Sequence, residues 1–225
     1  MKRTLIFDLD GTLIDSLPGH LKATQAIIAR HGGMLTDEEF SSYNGMGMRE
    51  AAEKFIREKG LDMDVETVLR EKDEAHEDII NHVELYQGVK GCLERFKDLK
   101  LAVATSSDRR YLERVMARFK LAEKFEVLVS ADDVDRLKPA PDVFLEAARL
   151  VGAEPEECVV VEDAPHGVHG AKAAGMAVIA VLTTTAKEEF TGDAEPDAFI
   201  KSLDELDEKS LVKAESKAYK RRCAE

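Results

Sequence analysis

The chain has 225 residues, of which 44% are hydrophobic, and a formal net charge of −13 at pH 7. This length and apolar content predict one large domain, or a domain with a smaller insert, around a sizeable core. The acidic excess argues against a nucleic-acid partner, because phosphate backbones attract basic surfaces, but it leaves open a small phosphorylated ligand, which feels only the local field of a pocket.

Five short apolar runs predict buried strands of one sheet. Each is rich in β-branched residues and continuously apolar, which is typical of a strand buried on both faces of a parallel sheet. In chain order they are TLIF before Asp8, LAVA before Thr105, FEVLVS before Ala131, CVVV before Glu162 and AVIAVL before Thr183.

Helical patterns separate the last four of these strands. The segment DRRYLERVMARF carries apolar residues at helical spacing, PDVFLEAARLVG begins at Pro141 and stops at Gly152, and PHGVHGAKAAG runs between Pro165 and Gly175. Strands that alternate with helices predict an α/β fold with a doubly wound, Rossmann-like parallel sheet.

The stretch between the first and second strands predicts a separate helical insert. It holds no convincing strand and three amphipathic segments, LPGHLKATQAIIARHGG, MREAAEKFIREKG and DVETVLREKDEAHEDIINH. A crossover between parallel strands needs only one helix. We therefore expect a core of residues 1–15 and 87–225 and an α-helical cap of residues 16–86, with hinges near Ile14–Leu17 and Leu85–Gly88.

Cysteine usage favours a cytoplasmic protein. Cys92, Cys158 and Cys223 are far apart and form no CxxC pair, which is typical of reduced thiols. The N-terminal segment reaches Asp8 too early for the apolar core of a signal peptide, and no apolar run is long enough to span a membrane. We expect no membrane partner, and a monomer or weak dimer.

Polar residues follow the predicted strands at the edge where open α/β sheets bind ligands. Asp8 and Asp10 follow the first strand, Thr105-Ser106-Ser107 follow the second, and Glu162-Asp163 end the fourth. Lys138 lies in the connection before the fourth strand. We expect these side chains to converge on one site.

This set of residue types indicates phosphoryl transfer assisted by a metal ion. Asp8, Asp10 and Asp163 can crowd together only where a cation separates them, and ligands that are all oxygen indicate a hard ion, usually Mg²⁺. Lys138 and Thr105 supply a positive charge and a hydroxyl donor for a phosphoryl group. Asp8 is the candidate nucleophile, and Asp10 the candidate general acid and then base.

Four segments in this order resemble the motifs of the haloacid dehalogenase superfamily in its DxDGT phosphotransferase form. They are FDLDGTLIDS, LAVATSS, LKPAPDVF and VVVEDAPHGVHGAKAAGM, within Thr4–Met176. The helical insert is similar to the family's helical cap. The resemblance is nearest to the branch of β-phosphoglucomutase and the sugar-phosphate phosphatases.

The resemblance implies a role for each of the four matched acidic residues. Asp8 would form an aspartyl-phosphate, and Asp10 would act as acid and base. Mg²⁺ would be held by the Asp8 carboxylate, the Asp10 carbonyl and Asp163, with Glu162 acting through a bound water.

Other matched residues would surround the phosphoryl group. The groups that would hold its oxygens are Thr105, Lys138 and the backbone N–H groups near Leu9 and Ser106. Thr12 fits the position that orients Asp10.

Three residues of the insert match positions near the substrate in mutase-like members. Arg49 is where an arginine binds a second phosphate, with a surface arginine as the alternative. Asn44 stands where the mutase pattern has a lysine, which counts against mutase activity. His20 matches a histidine of the mutase branch that would tune the acid/base, with a surface histidine as the alternative.

Asp15 and Ser16 are interpreted as the N-cap of the first helix of the insert.

The leading hypothesis is a Mg²⁺-dependent phosphoric monoester hydrolase that acts on a small phosphorylated metabolite such as a sugar phosphate or phosphoglycolate. A phosphosugar mutase of the β-phosphoglucomutase type is the alternative on the same scaffold. A receiver-like regulatory protein, from another class, uses a similar set of residues, with Asp132 or Asp133 as its phosphorylated residue. The GT after the DxD and the long helical insert argue against a receiver.

Overall fold

The computed structural model describes residues 3–43, 46 and 48–223. Its strands, in chain order, are β1 (Thr4–Phe7), β2 (Ile14–Asp15), β3 (Glu84–Leu85), β4 (Lys100–Ala104), β5 (Val127–Val129), β6 (Cys158–Glu162), β7 (Ala177–Val181) and β8 (Ala198–Ile200). Six of them form a parallel sheet in the order β5-β4-β1-β6-β7-β8. This confirms the predicted Rossmann-like α/β class, and it adds β8, which the sequence did not reveal.

Helices cover both faces of this sheet. In chain order the helices are α1 (Leu17–Arg30), α2 (Asp37–Ser41), α3 (Met48–Lys59), α4 (Val65–His82), α5 (Val89–Arg95), α6 (Arg109–Phe119), α7 (Asp142–Val151), α8 (Pro165–Ala173) and α9 (Glu208–Arg222). Side chains alternate along β1, so that Leu5 and Phe7 pack in a cluster with α5, α6 and α9, whereas Ile6 packs with α7 and α8. Both layers of the core therefore meet at β1.

Helices α1 to α4 pack together beside the sheet. Helix α4 contacts both α1 and α3, and a small apolar cluster of Ile28, Leu35, Tyr43 and Phe55 lies among these elements. Helix α4 also contacts α6 of the core. The short helix α2 has a capping box built by Thr36 and Glu39, which the sequence analysis did not single out.

The two connections of this helical segment are paired with each other. β2 and β3 run antiparallel, with Ile14 opposite Leu85 and Asp15 opposite Glu84. β2 lies within the first predicted hinge, and β3 overlaps the second at Leu85. In the described part of the chain, no helix is both long enough and apolar enough to cross a lipid bilayer.

Candidate active site

The candidate site lies at the carboxyl edge of the sheet, where β1, β4 and β6 end side by side. The backbone N–H of Asp8 donates to the carbonyl of Val161 over 3.0 Å, and that of Thr105 donates to the carbonyl of Val129 over 3.0 Å. These bonds extend the sheet past its strands. The positions of Asp8 and Thr105 are therefore fixed by the core, and the Asp8 residue is only 6% exposed.

The ammonium group of Lys138 lies between two carboxylates. Its Nζ donates to Oδ1 of Asp8 and, over 2.9 Å, to Oε1 of Glu162. Burial by itself lowers the pKa of Lys138, but the charges of Asp8 and Glu162 outweigh this effect and raise the pKa above its usual value. Lys138 is therefore a fixed positive charge beside Asp8, as predicted from the strand ends.

Asp8, Glu162 and Asp163 form a compact acidic group. Each offers a carboxylate oxygen, and these oxygens all lie within 4.8 Å of one another. Burial raises the pKa of Asp8 to about 7 despite the opposing charge of Lys138, and burial with the charges of Glu162 and Asp8 raises the pKa of Asp163 well above its usual value. One lysine leaves this group short of positive charge, so its chemistry fits a hard divalent cation.

The Glu162 carboxylate is held by the backbone that leads into α8. Its Oε2 accepts hydrogen bonds from the N–H groups of Asp163 and Ala164, both over 2.7 Å. Gly167 of α8 packs directly against it, and a Cβ at this position would lie 1.7 Å from Oε1. The close approach of helix and carboxylate therefore requires glycine at position 167.

The Asp163 carboxylate receives a hydroxyl hydrogen bond on each oxygen. Thr12 donates to Oδ1 over 3.2 Å, and Thr184 donates to Oδ2. Gly11 lies against the same carboxylate with a φ of +89°. Thr12 was expected, from the family resemblance, to orient Asp10, but in this structure its hydroxyl contacts Asp163. The hydroxyl of Thr12 serves Asp163 because the turn after Asp10 points it toward the end of β6.

Asp10 is surrounded by polar side chains from the core and the insert. The hydroxyl of Ser107 donates to Oδ2 over 2.7 Å. Two hydroxyls donate to Oδ1, that of Ser16 and, over 3.2 Å, that of Tyr111. Nε2 of His20 lies 3.6 Å from the same Oδ1. Burial by itself raises the pKa of Asp10, but His20 and the serine hydroxyls outweigh it and lower the pKa to about 2. Asp10 is therefore ionised in this conformation.

The hinge serine corrects a second expectation. Ser16 does precede α1, but its side chain makes no capping hydrogen bond and donates to Asp10 instead. Asp15 accepts a hydrogen bond from the hydroxyl of Tyr86 over 3.4 Å. Neither side chain caps the helix, because Ser16 is directed toward the site and Asp15 toward Tyr86, the residue after β3.

A cavity of about 150 Å³ lies between the strand ends and helices α1 to α4. Its core side includes Asp8, Asp10, Thr105, Ser106, Ser107, Lys138, Glu162 and Asp163. Its other wall is mostly apolar and is lined by Leu17, His20, Phe40, Tyr43, Met46, Ala51 and Lys72. The catalytic candidates of the core therefore face a pocket that the insert closes.

Lys72 is a cavity residue that the sequence analysis missed. It lies on α4, and within the described chain it has no hydrogen-bond or ion-pair partner. Burial lowers its pKa to about 8, although the charge of Asp10 acts in the opposite direction. Lys72 is thus a cation in the wall of the cavity with no direct ion-pair partner among the described residues.

The predicted cap residues have different locations. His20 is buried and lines the cavity, which rules out the surface alternative. Arg49 is exposed, pairs with Glu66 over 2.8 Å and does not line the cavity, so in this conformation it fits the surface alternative. Asn44 lies outside the described residues.

The remaining predicted phosphate-binding positions differ in exposure. Leu9 is fully buried, so only its backbone could reach a ligand. Ser106 lines the cavity, and its Oγ has no hydrogen-bond partner in the structure as described. Both positions remain predictions as phosphate-binding N–H groups.

The residues proposed for a receiver-like protein lie elsewhere. Asp133 accepts hydrogen bonds from the N–H and hydroxyl of Ser130 over 2.7 and 2.8 Å, and Asp132 accepts one from the N–H of Arg109 over 2.8 Å. Neither residue lines the cavity beside Lys138. Both aspartates instead organise the loop after β5.

Comparison with known proteins gives consistent matches. A family model described as "Haloacid dehalogenase-like hydrolase" matches residues 5–181. The fructose-1-phosphate phosphatase YqaB of Escherichia coli is 35% identical over 181 residues, which cover 79% of this chain and 95% of that protein. Hexitol phosphatase A of Escherichia coli is 37% identical over 181 residues, which cover 78% of this chain and 81% of that protein.

A solved structure supports the same grouping. A variant of CbbY from Rhodobacter sphaeroides, in complex with xylulose-(1,5)bisphosphate, aligns with a TM-score of 0.83 and 27% identity. The alignment covers 95% of this chain and 99% of that chain. The likeness therefore extends over the helical segment as well as the sheet.

Proposed function

The chain belongs to the haloacid dehalogenase-like hydrolase family, and on that basis we propose that it is a Mg²⁺-dependent phosphatase of sugar phosphates or related small phosphate monoesters. The observation that carries the proposal is the position of Asp8, at a strand end beside the Lys138 cation and the Glu162–Asp163 pair, facing a cavity. The relatives named fructose-1-phosphate phosphatase and hexitol phosphatase support a phosphorylated sugar or polyol as substrate.

The donor set around the acidic group fits Mg²⁺. The Asp8 and Asp163 carboxylates and the Asp10 carbonyl would hold the ion, and it would supply positive charge that offsets repulsion between these carboxylates and a substrate phosphate. Both oxygens of Glu162 are engaged by Lys138 and backbone N–H groups. This supports an indirect role for Glu162.

In the first step, a carboxylate oxygen of Asp8 attacks the phosphorus of the ester. The bond between phosphorus and the ester oxygen breaks, and that oxygen takes a proton from Asp10. Lys138 and Thr105, with N–H groups near Ser106, hold the phosphoryl oxygens. The neighbours of Asp10 favour its ionised form. We therefore expect Asp10 to become protonated, ready for this step, only when bound substrate displaces some of these neighbours.

In the second step, water attacks the phosphorus of the aspartyl-phosphate. Ionised Asp10 accepts a proton from this water, the bond between phosphorus and Asp8 breaks, and inorganic phosphate leaves. Asp10 has given up its proton in the first step, so it is free to accept one here.

We propose that residues 16–86 act as a cap that selects the carbon skeleton of the substrate, and that residues 1–15 and 87–225 carry the chemistry. Phe40, Tyr43 and Met46 offer an apolar wall for a sugar face, and Lys72 offers a charge for polar groups. We further propose a small phosphorylated metabolite as the partner, and, from the free cysteines, a cytoplasmic location.

A mutase is not favoured. Relatives at 35% and 37% identity carry phosphatase names. Arg49 is paired with exposed Glu66, so it offers no site for a second phosphate in this conformation.

The test is phosphate release from fructose 1-phosphate, a hexitol phosphate, phosphoglycolate and a nucleotide, with Mg²⁺ and then with EDTA. We expect Mg²⁺-dependent release that Asp8→Asn lowers by at least about 10³-fold. Asp62→Asn is the matched control, because Asp62 is exposed and outside the cavity lining. Interconversion of β-glucose 1-phosphate after addition of a bisphosphate, without net phosphate release, would instead establish the mutase.

A further inference from the structure

The loop after β7 reaches the site and carries three consecutive threonines, Thr183 to Thr185. β7 lies beside β6, with Ala180 opposite Glu162, so residues that follow β7 emerge next to Asp163. The family model matches only residues 5–181, and this loop lies just beyond that match. Its residues therefore have no role assigned by the four motifs.

Two threonines of the loop contact opposite parts of the site. The hydroxyl of Thr183 donates to the carbonyl of Gly11, which lies in the turn after Asp10. The hydroxyl of Thr184 donates to Oδ2 of Asp163. The loop thus connects the end of β7 both to the turn after β1 and to the carboxylate after β6.

The Asp163 carboxylate has little freedom to rotate. Thr12 and Thr184 occupy different oxygens, and Gly11 packs so closely that a Cβ there would lie 2.1 Å from Oδ2. Hydrogen bonds to the outer side of a ligating carboxylate fix its orientation and tune its affinity for a metal ion. Thr12 belongs to the first motif, whereas Thr184 is an independent contribution of the β7 loop.

We propose that Thr184 is a positioning residue that orients the Asp163 carboxylate for a divalent cation. The inference rests on the metal site of the proposed function, which Asp163 shares with Asp8. Thr184 would touch neither substrate nor metal, and it would act through Asp163 alone.

The test measures Mg²⁺ binding by isothermal titration calorimetry, in the absence of substrate. Thr184→Val keeps the shape of the side chain but removes the donor, and we expect its dissociation constant for Mg²⁺ to rise about 10- to 100-fold. Thr184→Ser keeps a hydroxyl and should restore binding close to that of the unmodified protein. Thr185→Val is the matched control, because among the described residues the Thr185 hydroxyl is hydrogen-bonded to that of Thr184 and not to Asp163.

Circular dichroism and thermal unfolding without Mg²⁺ would verify that all variants are folded. Unchanged Mg²⁺ affinity in folded Thr184→Val, beside clear weakening in Asp163→Asn, would overturn the role of Thr184 and leave the phosphatase intact. Absence of saturable Mg²⁺ binding in the unmodified protein would overturn the metal site itself, and Thr184 with it. Weakening by Thr184→Val that Thr184→Ser does not rescue would also count against a hydroxyl role.

Discussion

The hydroxyl of Ser107 donates a hydrogen bond to Oδ2 of Asp10 over 2.7 Å, which joins the loop after β4 to the loop after β1. On the other oxygen, Asp10 accepts from Ser16, at the start of the helical insert, and from Tyr111 of α6. The candidate acid/base is therefore held by residues from both the core and the insert. The protonation state of Asp10 should therefore depend on how the insert packs against the core.

Asp10→Ala should separate the two chemical steps. Formation of the aspartyl-phosphate needs a proton donor only when the leaving oxygen is a poor leaving group, whereas its hydrolysis needs a base with every substrate. We expect single-turnover phosphorylation of Asp8 to fall about 10²–10⁴-fold with a sugar phosphate and far less with p-nitrophenyl phosphate. Mass spectrometry of the quenched protein would detect the phosphorylated form, which should persist.

Ser107→Ala is the milder companion to that variant. It removes one donor and leaves the carboxylate of Asp10, so phosphorylated protein should not accumulate to the same extent. Equal slowing of both substrates by Asp10→Ala, without accumulation, would contradict the acid/base assignment.

Lys72→Met should weaken substrate binding and change its pH dependence. Burial lowers the pKa of Lys72 to about 8, so the side chain is protonated below that pH and loses its charge above it. We expect kcat/KM to fall as pH rises through about 8, because the free enzyme then lacks a cation for an anionic substrate. In Lys72→Met this limb should be absent, and KM at pH 7 should rise about 10-fold or more.

Asp10 and His20 line the same cavity as Lys72. A control variant must therefore remove a lysine that lies outside this cavity. Lys90→Met on the exposed side of α5 serves this purpose and should keep the original profile. A basic limb that survives unchanged in Lys72→Met would show that another group titrates.

Gly167→Ala should disturb the acidic group through packing alone. The added Cβ would lie 1.7 Å from Oε1 of Glu162, the atom that accepts from Lys138, so either the carboxylate or α8 must shift. We expect a loss of about 1–3 kcal/mol in the free energy of unfolding, measured in urea, together with reduced phosphate release. Gly91→Ala in α5 has open space around its Cβ and should be neutral or stabilising by about 0.5–1 kcal/mol. Similar stability of the two variants would contradict the packing argument.

The sequence predicted the sheet well because its strands are buried on both faces and therefore read as continuous apolar runs. β8 escaped because it spans only Ala198–Ile200, with Phe199 partly exposed. Asp8, Lys138 and Asp163 were predictable because parallel strands bring their carboxyl ends to one edge, whatever the details of packing.

Residues that depend on how helices pack were not predictable in the same way. Lys72 and Tyr111 lie on amphipathic helices, and periodicity does not reveal which turn faces the cavity. Tyr111 had one available signal, since it lies in the first turn of the helix that follows Thr105-Ser106-Ser107. Thr12 was matched to a family position that orients Asp10, and Ser16 was interpreted as part of a helix cap. Their hydroxyls instead contact Asp163 and Asp10, and such tertiary contacts are not visible in the local sequence.

The pairing of β2 with β3 makes the whole helical segment, in topological terms, the turn of one hairpin. Ile14 and Leu85 are neighbours across this hairpin, so the sheet is threaded identically whether a few residues or several helices separate them. If the helical segment selects the substrate, as we propose, its exchange would change substrate preference and leave the residues of the sheet edge in place. Ser16 and His20 set the boundary of that freedom, because any replacement segment would need to supply their contacts to Asp10 within its first turn.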